Sequence, residues 1–131
     1  MSAASEVRSD KIQVSKGGQP IIHNSGLLDL VTAVTEQNAI LVPFDATIVS
    51  VKSRVRTACG TAAGLAAVEG VEKGSAYASQ SHDTTDAAGT EFEWTLTDAV
   101  VPAGEVLYFT GDGGATTTGD VDVTVTLAGR Q

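Results

Sequence analysis

The chain has 131 residues, enough for one domain that buries a core without needing a disulfide or a metal. Its formal net charge of −8, from 16 acidic against 8 basic residues, opposes binding to nucleic acid or to an anionic membrane surface. No apolar run approaches the roughly 20 residues of a membrane span, residues 1–6 lack the charged start and apolar core of a signal peptide, and the one cysteine, Cys59, can make neither an intrachain disulfide nor a multi-cysteine zinc site.

Residues 1–20 read as a polar arm that ends in Gly17-Gly18-Gln19-Pro20. Within it, Lys11-Ile12-Gln13-Val14-Ser15 alternates polar and apolar like a short strand, too short to stand alone and suited to lie on a partner's sheet or surface. From Gly26 to Thr35 helix and strand compete, and the β-branched residues tip the reading to strand. Thr35-Glu36-Gln37-Asn38 reads as a turn, and Ala39-Ile40-Leu41-Val42 as a strand stopped by Pro43. Residues 46–57 give the clearest strand, with Val49, Val51, Ser53, Val55 and Thr57 on one face and Ser50, Lys52, Arg54 and Arg56 on the other.

The stretch from Ala58 to Thr90 is poor in large apolar residues. It offers one further strand at Gly64–Val71 and is otherwise expected to be irregular around Tyr77. Alternation returns at Glu91–Thr97, where Phe92, Trp94 and Leu96 point one way. Val106–Thr110 is an apolar strand, Gly111-Asp112-Gly113-Gly114 a turn, and Val121, Val123, Val125 and Leu127 mark a last half-buried strand. Short alternating strands divided by Gly-rich turns, with no amphipathic helix, indicate an all-β sandwich or barrel over residues 21–131.

Little in the sequence carries chemistry. Ser81-His82-Asp83 holds the residue types of a hydrolase triad, but adjacent side chains cannot converge as a triad must, and the segment reads as a solvated loop. His23 and His82 lack metal-ligand spacing, and Asp112, Asp120 and Asp122 lack the calcium-loop pattern. Gly111–Gly114 lacks the Lys-Ser/Thr and the helix of a phosphate cradle. No catalytic residue, cofactor or metal is assigned. Lys52, Arg54 and Arg56 repel one another unless Glu91 and Glu93 answer them from a neighbouring strand; otherwise they form a docking face for an acidic partner. Phe92, Trp94, Tyr108 and Phe109 suit a core, or a sugar-stacking platform if exposed.

Two stretches carry a resemblance. Ile40-Leu41-Val42-Pro43-Phe44-Asp45-Ala46-Thr47-Ile48-Val49 resembles an opening common in small structural proteins of tailed bacteriophages, and Val101-Pro102-Ala103-Gly104-Glu105-Val106-Leu107-Tyr108 with the Gly-Thr turn at 111–119 resembles their ending. Ala46 stands where the pattern has Gly, and the middle of the stretch from Ala39 to Leu127 matches poorly. The resemblance is to the head decoration (cement) and head-fibre proteins. It implies a jelly-roll-like antiparallel β-sandwich with an extended N-terminal arm. It also implies a non-enzymatic role on the outer surface of the virion after synthesis in the host cytoplasm. The implied partner is the major capsid protein, whose subunits the chain would bridge as a monomer or a homotrimer, without nucleic acid or membrane. Candidate capsid contacts are Lys11, Ile12, Val14 and Lys16 in the arm and Lys52, Arg54 and Arg56 on the basic strand face. A trimeric fibre or spike tip and a carbohydrate-binding module for host attachment are the alternatives.

Overall fold

A computed structural model describes residues 20–114 and 116–130. The arm, with Lys11, Ile12, Val14 and Lys16, lies outside the described residues. The described chain is all-β, with ten strands: β1 (Ile21–Asn24), β2 (Leu28–Asp29), β3 (Val34–Val42), β4 (Ala46–Thr57), β5 (Gly64–Gly70), β6 (Ala76–His82), β7 (Glu91–Glu93), β8 (Val100–Val101), β9 (Glu105–Gly111) and β10 (Asp120–Gly129). The first sheet runs β1-β10-β4-β7, with β2 added to β10 and β8 to β4; the second runs β3-β9-β5-β6. Every pairing is antiparallel, and the two sheets form a β-sandwich.

The period of two decides which side chains fill the space between the sheets. Val121, Val123, Val125 and Leu127 of β10, Val51 and Val55 of β4, and Leu107 and Phe109 of β9 are all buried. Each such Val, Leu or Phe contributes about 1.5–3 kcal/mol relative to exposure. Trp94 and Tyr77 join the same core.

Four sequence expectations are corrected. First, the strand expected over 26–35 shrinks to β2, because Leu28 and Leu30 point inward while the chain bends between them and β3. Second, Thr35–Asn38 is not a turn but part of β3, whose register slips twice, between Val34 and Gln37 and between Gln37 and Ile40. Asn38 takes a left-handed φ of 52° there, and its polar neighbours are used as clamps. Gln37 Nε2 donates to the carbonyls of Ser25 (2.7 Å) and Leu27 (3.0 Å), and Asn38 Nδ2 to that of Asn24 (2.6 Å). These bonds tie β3, at one edge of the second sheet, to the β1 edge of the first.

Third, residues 64–82 form the β5–β6 pair, with Tyr77 buried rather than in an irregular excursion. Small side chains hide β6 and its pairing: Gly64, Ala66, Gly70 and Ala78 give no strong alternation, yet they let the backbones approach the core closely. A Cβ on Gly70 would strike the Glu105 carboxylate and lie 2.7 Å from the Tyr77 ring. Fourth, the inward face of β4 is broken by a bulge. Thr126 pairs with Ser50 but Leu127 with Ile48, so Val49 is the extra residue and stands 58 % exposed while Ile48 takes the core position. A second slip between Asp120 and Val121 similarly leaves Thr57 exposed.

Residues 40–49 and 101–108 meet at one end of the sandwich, while the Gly-Thr turn at 111–119 lies at the opposite end. Residues 43–45 join β3 to β4 and residues 102–104 join β8 to β9 there, with Asp45 Oδ1 accepting the Ala103 amide at 3.0 Å and the Gly104 amide donating to Val42 at 2.7 Å. Arg130 donates its amide to Asp45, and Pro20 leads into β1 beside Leu127, so both ends of the described chain emerge at this same end.

Candidate functional site

The buried polar groups come first, because one of them has the look of chemistry. Ser53 Oγ, on the inward face of β4, lies 2.8 Å from His82 Nε2 and accepts the Trp94 indole N–H at 2.9 Å. A serine–histidine pair at this distance is the start of a nucleophile and base. Here both residues are buried, His82 to 1 % exposure, so the pair faces the core and no substrate can meet the hydroxyl. His82 is therefore not in a solvated loop, and Ser81 and Asp83 point away from it, exposed. Burial pushes the His82 pKa down, against the backbone of Gly64 and the charge of Asp86. Nothing in the sequence signalled this triad, because its members come from β4, the end of β6 and the segment after β7.

Glu105 is the second buried group. Tyr77 Oη donates to it at 2.7 Å, and the amides of Glu72 (2.8 Å), Lys73 (3.1 Å) and Val106 (2.9 Å) complete its shell. Burial alone would raise its pKa, but the Tyr77 hydroxyl and the three amides outweigh it and hold the carboxyl below the ordinary range. The same burial and the Glu105 charge push the Tyr77 phenol far up. Glu105 fixes the β5–β6 turn to the start of β9 and is a structural anion.

The remaining candidates lie on the outer sheet faces. On the first sheet, Lys52 stands opposite Glu93 and Arg54 opposite Glu91 on β7, while Arg54 faces Asp122 on β10. Arg56 Nη1 reaches Asp122 Oδ2 at 3.0 Å. Three cations thus lie among three carboxylates, the intramolecular answer open to Glu91 and Glu93, with Asp122 as a partner the sequence did not single out. Asp112, by contrast, accepts the amides of Leu65 (3.1 Å) and Gly114 (3.2 Å) beside the second sheet. Among the described residues no group of three His, Cys, Asp or Glu side chains is arranged to hold a metal.

The other half of the first sheet's outer face is uncharged and partly apolar. Ile22 of β1 pairs with Thr126 of β10, which pairs with Ser50 beside the bulged Val49; Ala128 pairs with Thr47, which pairs with Val100. Three strand spacings of about 4.8 Å make this patch roughly 14 Å wide. Ile22, Val49 and Val100 are 67 %, 58 % and 50 % exposed. Leu41 and Val71, also exposed, flank Val106 on the second sheet at the same end. Among the described residues, five of the eight large exposed apolar side chains therefore gather at the end where both ends of the described chain emerge. A sugar platform finds less support: Trp94 and Tyr77 are buried, and Phe44, Phe92 and Tyr108 are half-buried, the Tyr108 hydroxyl 3.5 Å from Glu69.

Comparison of the chain with protein-family models and with curated proteins returns no match.

Proposed function

We propose that this chain is a decoration protein of a tailed-bacteriophage head, binding the outer surface of the capsid and stabilising the shell by bridging major capsid protein subunits without chemistry. The observation that carries the reading is the apolar half-face of the first sheet. Exposed apolar side chains grouped on an uncharged sheet face suit an interaction surface, and here a β-bulge turns Val49 outward where simple alternation would bury it.

Three further features support the reading. β1 pairs with β10, β3 with β9, β4 with β7 and β5 with β6. This nesting favours a jelly roll, an architecture found in viral capsid and lectin domains. Residues 40–49 and 101–108, which resemble parts of decoration proteins, meet at the end beside the apolar half-face. The Lys52, Arg54 and Arg56 ladder already lies against Glu91, Glu93 and Asp122, which moves the expected contact from the basic residues to Ile22, Val49 and Val100. Many copies on a repeating lattice bind tightly through individually modest contacts.

Co-sedimentation with capsids of the same phage that lack this protein tests the reading. Saturable binding is expected, with Val49→Lys plus Val100→Lys weakening it at least tenfold. Lys52→Glu, Arg54→Glu and Arg56→Glu together should change it less. Absence of binding by the unmodified chain would overturn the decoration role, and full binding by the double lysine variant would remove the apolar half-face from it.

A further inference from the structure

The outer face of the second sheet bears a groove that capsid decoration leaves unexplained. β3 takes three residues where β9 takes two, once from Val34 to Gln37 and again from Gln37 to Ile40, and the strand bows away from its partner. The depression beside it encloses about 390 Å³. Val34, Leu65 and Ala67 give it an apolar floor, and Glu69 and Asp112 stand at its sides. Both carboxylates are fixed: Thr110 Oγ1 donates to Glu69 Oε2 at 3.4 Å, and Asp112 Oδ1 takes the Leu65 amide. Glu36 stands close to the same face, since burial, Glu69 and Glu36 in that order push the Tyr108 phenol up. An apolar floor flanked by carboxylates suits an extended segment with apolar side chains between cationic ends.

We propose that this groove holds residues 11–16 of the same chain, with Ile12 and Val14 on the floor and Lys11 and Lys16 against Glu36, Glu69 and Asp112. The charge fits: residues 11–20 contain two lysines and no acidic residue, in a chain of net charge −8. The reach fits as well. His23 and Asn24 of β1 bond to Asn38 of β3, so Pro20 enters beside the Leu41 end of β3. From Leu41 back to Val34 is seven residues, about 23 Å along a strand. From Pro20 back to Lys11 is nine residues, about 30 Å when extended. The inference goes beyond capsid decoration and does not rest on it, since it concerns the chain in free solution.

Zero-length carbodiimide coupling tests it on the full chain. The reagent joins a lysine amine to a carboxylate only where they touch, with loss of water. An equal mixture of ¹⁴N- and ¹⁵N-labelled chains is coupled, digested and read by mass spectrometry. Lys11 and Lys16 are expected to join Glu36, Glu69 or Asp112 within one isotopic copy. The yield should drop severalfold at high salt, where exposed pairs are screened, and in an Ile12→Asp, Val14→Asp variant. Coupling spread without preference over the other surface carboxylates would overturn the proposal. Groove coupling in which about half of the products join unlike isotopes, as random pairing of two copies gives, would also overturn it, by assigning the groove to a neighbouring copy. Neither result bears on capsid co-sedimentation.

Discussion

Glu105 brings a carboxylate into the interior, and its charge is held by one phenol and three backbone amides. Removing one donor from a charged acceptor costs about 1.5–3 kcal/mol, so Tyr77→Phe should lower urea stability by that amount with the fold retained. Because the folded pKa of Glu105 is depressed below 4.5, its contribution is present above that pH and is lost as pH falls through the folded value. His82 acts in the same direction at a higher pH. Its folded pKa is depressed below 6.5, so the unfolded chain takes up a proton first as pH drops, and stability falls from about 6.5 downward until the folded value is passed. Urea titrations between pH 7 and 5 should show this decline, and His82→Phe should flatten it. Ser53→Ala leaves the Trp94 N–H and the His82 ring without their shared partner in the core. A loss of about 1–3 kcal/mol is expected in the same urea assay.

At the level of strands, the bulge in β4 separates two adjacent valines of the same alternating series. Val49 stands in solvent and Val51 in the core. Val49→Lys should therefore change stability by no more than about 0.5 kcal/mol, as exposed substitutions do. Val51→Lys should abolish folding, seen as loss of the cooperative urea transition. Gly70→Ala tests the close approach of β5 to Glu105 and Tyr77, with a cost of about 1–3 kcal/mol from overpacking.

These strands also show where the sequence is legible. β4, β9 and β10 announce themselves because large apolar residues alternate with polar ones at the period of a half-buried strand. The strand read at Gly64–Val71 is β5, but β6 is not legible, since Ala78 and the polar Ser and Gln leave little contrast to read. Thr35–Asn38 looks like a turn because its residues are polar, whereas their polarity serves bulges and clamps to β1. A bulge is a one-residue slip in pairing, set by the partner strand, so Val49 keeps its place in the pattern while changing face. Lys52, Arg54 and Arg56 were legible as an outward ladder, as were Glu91 and Glu93. The pairing with Asp122 needed the β4–β10 register, and the apolar half-face needed four strands set side by side.

Across the molecule, charge and apolar surface are sorted between the two faces. Of the five basic residues in the described chain, three lie on one half of the first sheet beside Glu91, Glu93 and Asp122, while the half with Ile22, Val49 and Val100 carries no Lys, Arg, Asp or Glu on its strands. The second sheet presents Glu36, Glu69 and Asp112. An uncharged, partly apolar half-face can approach a large surface with little electrostatic repulsion. That arrangement predicts shell binding with weak salt dependence, in contrast to the salt-sensitive coupling expected in the groove of the second sheet.

The most direct measurement is cryo-electron microscopy of capsids lacking this protein and then saturated with it. The account predicts density for the sandwich at fixed lattice positions, with the Ile22, Val49 and Val100 face against the shell and the second sheet turned to solvent. Capsids that remain bare at saturating protein would contradict the decoration role itself.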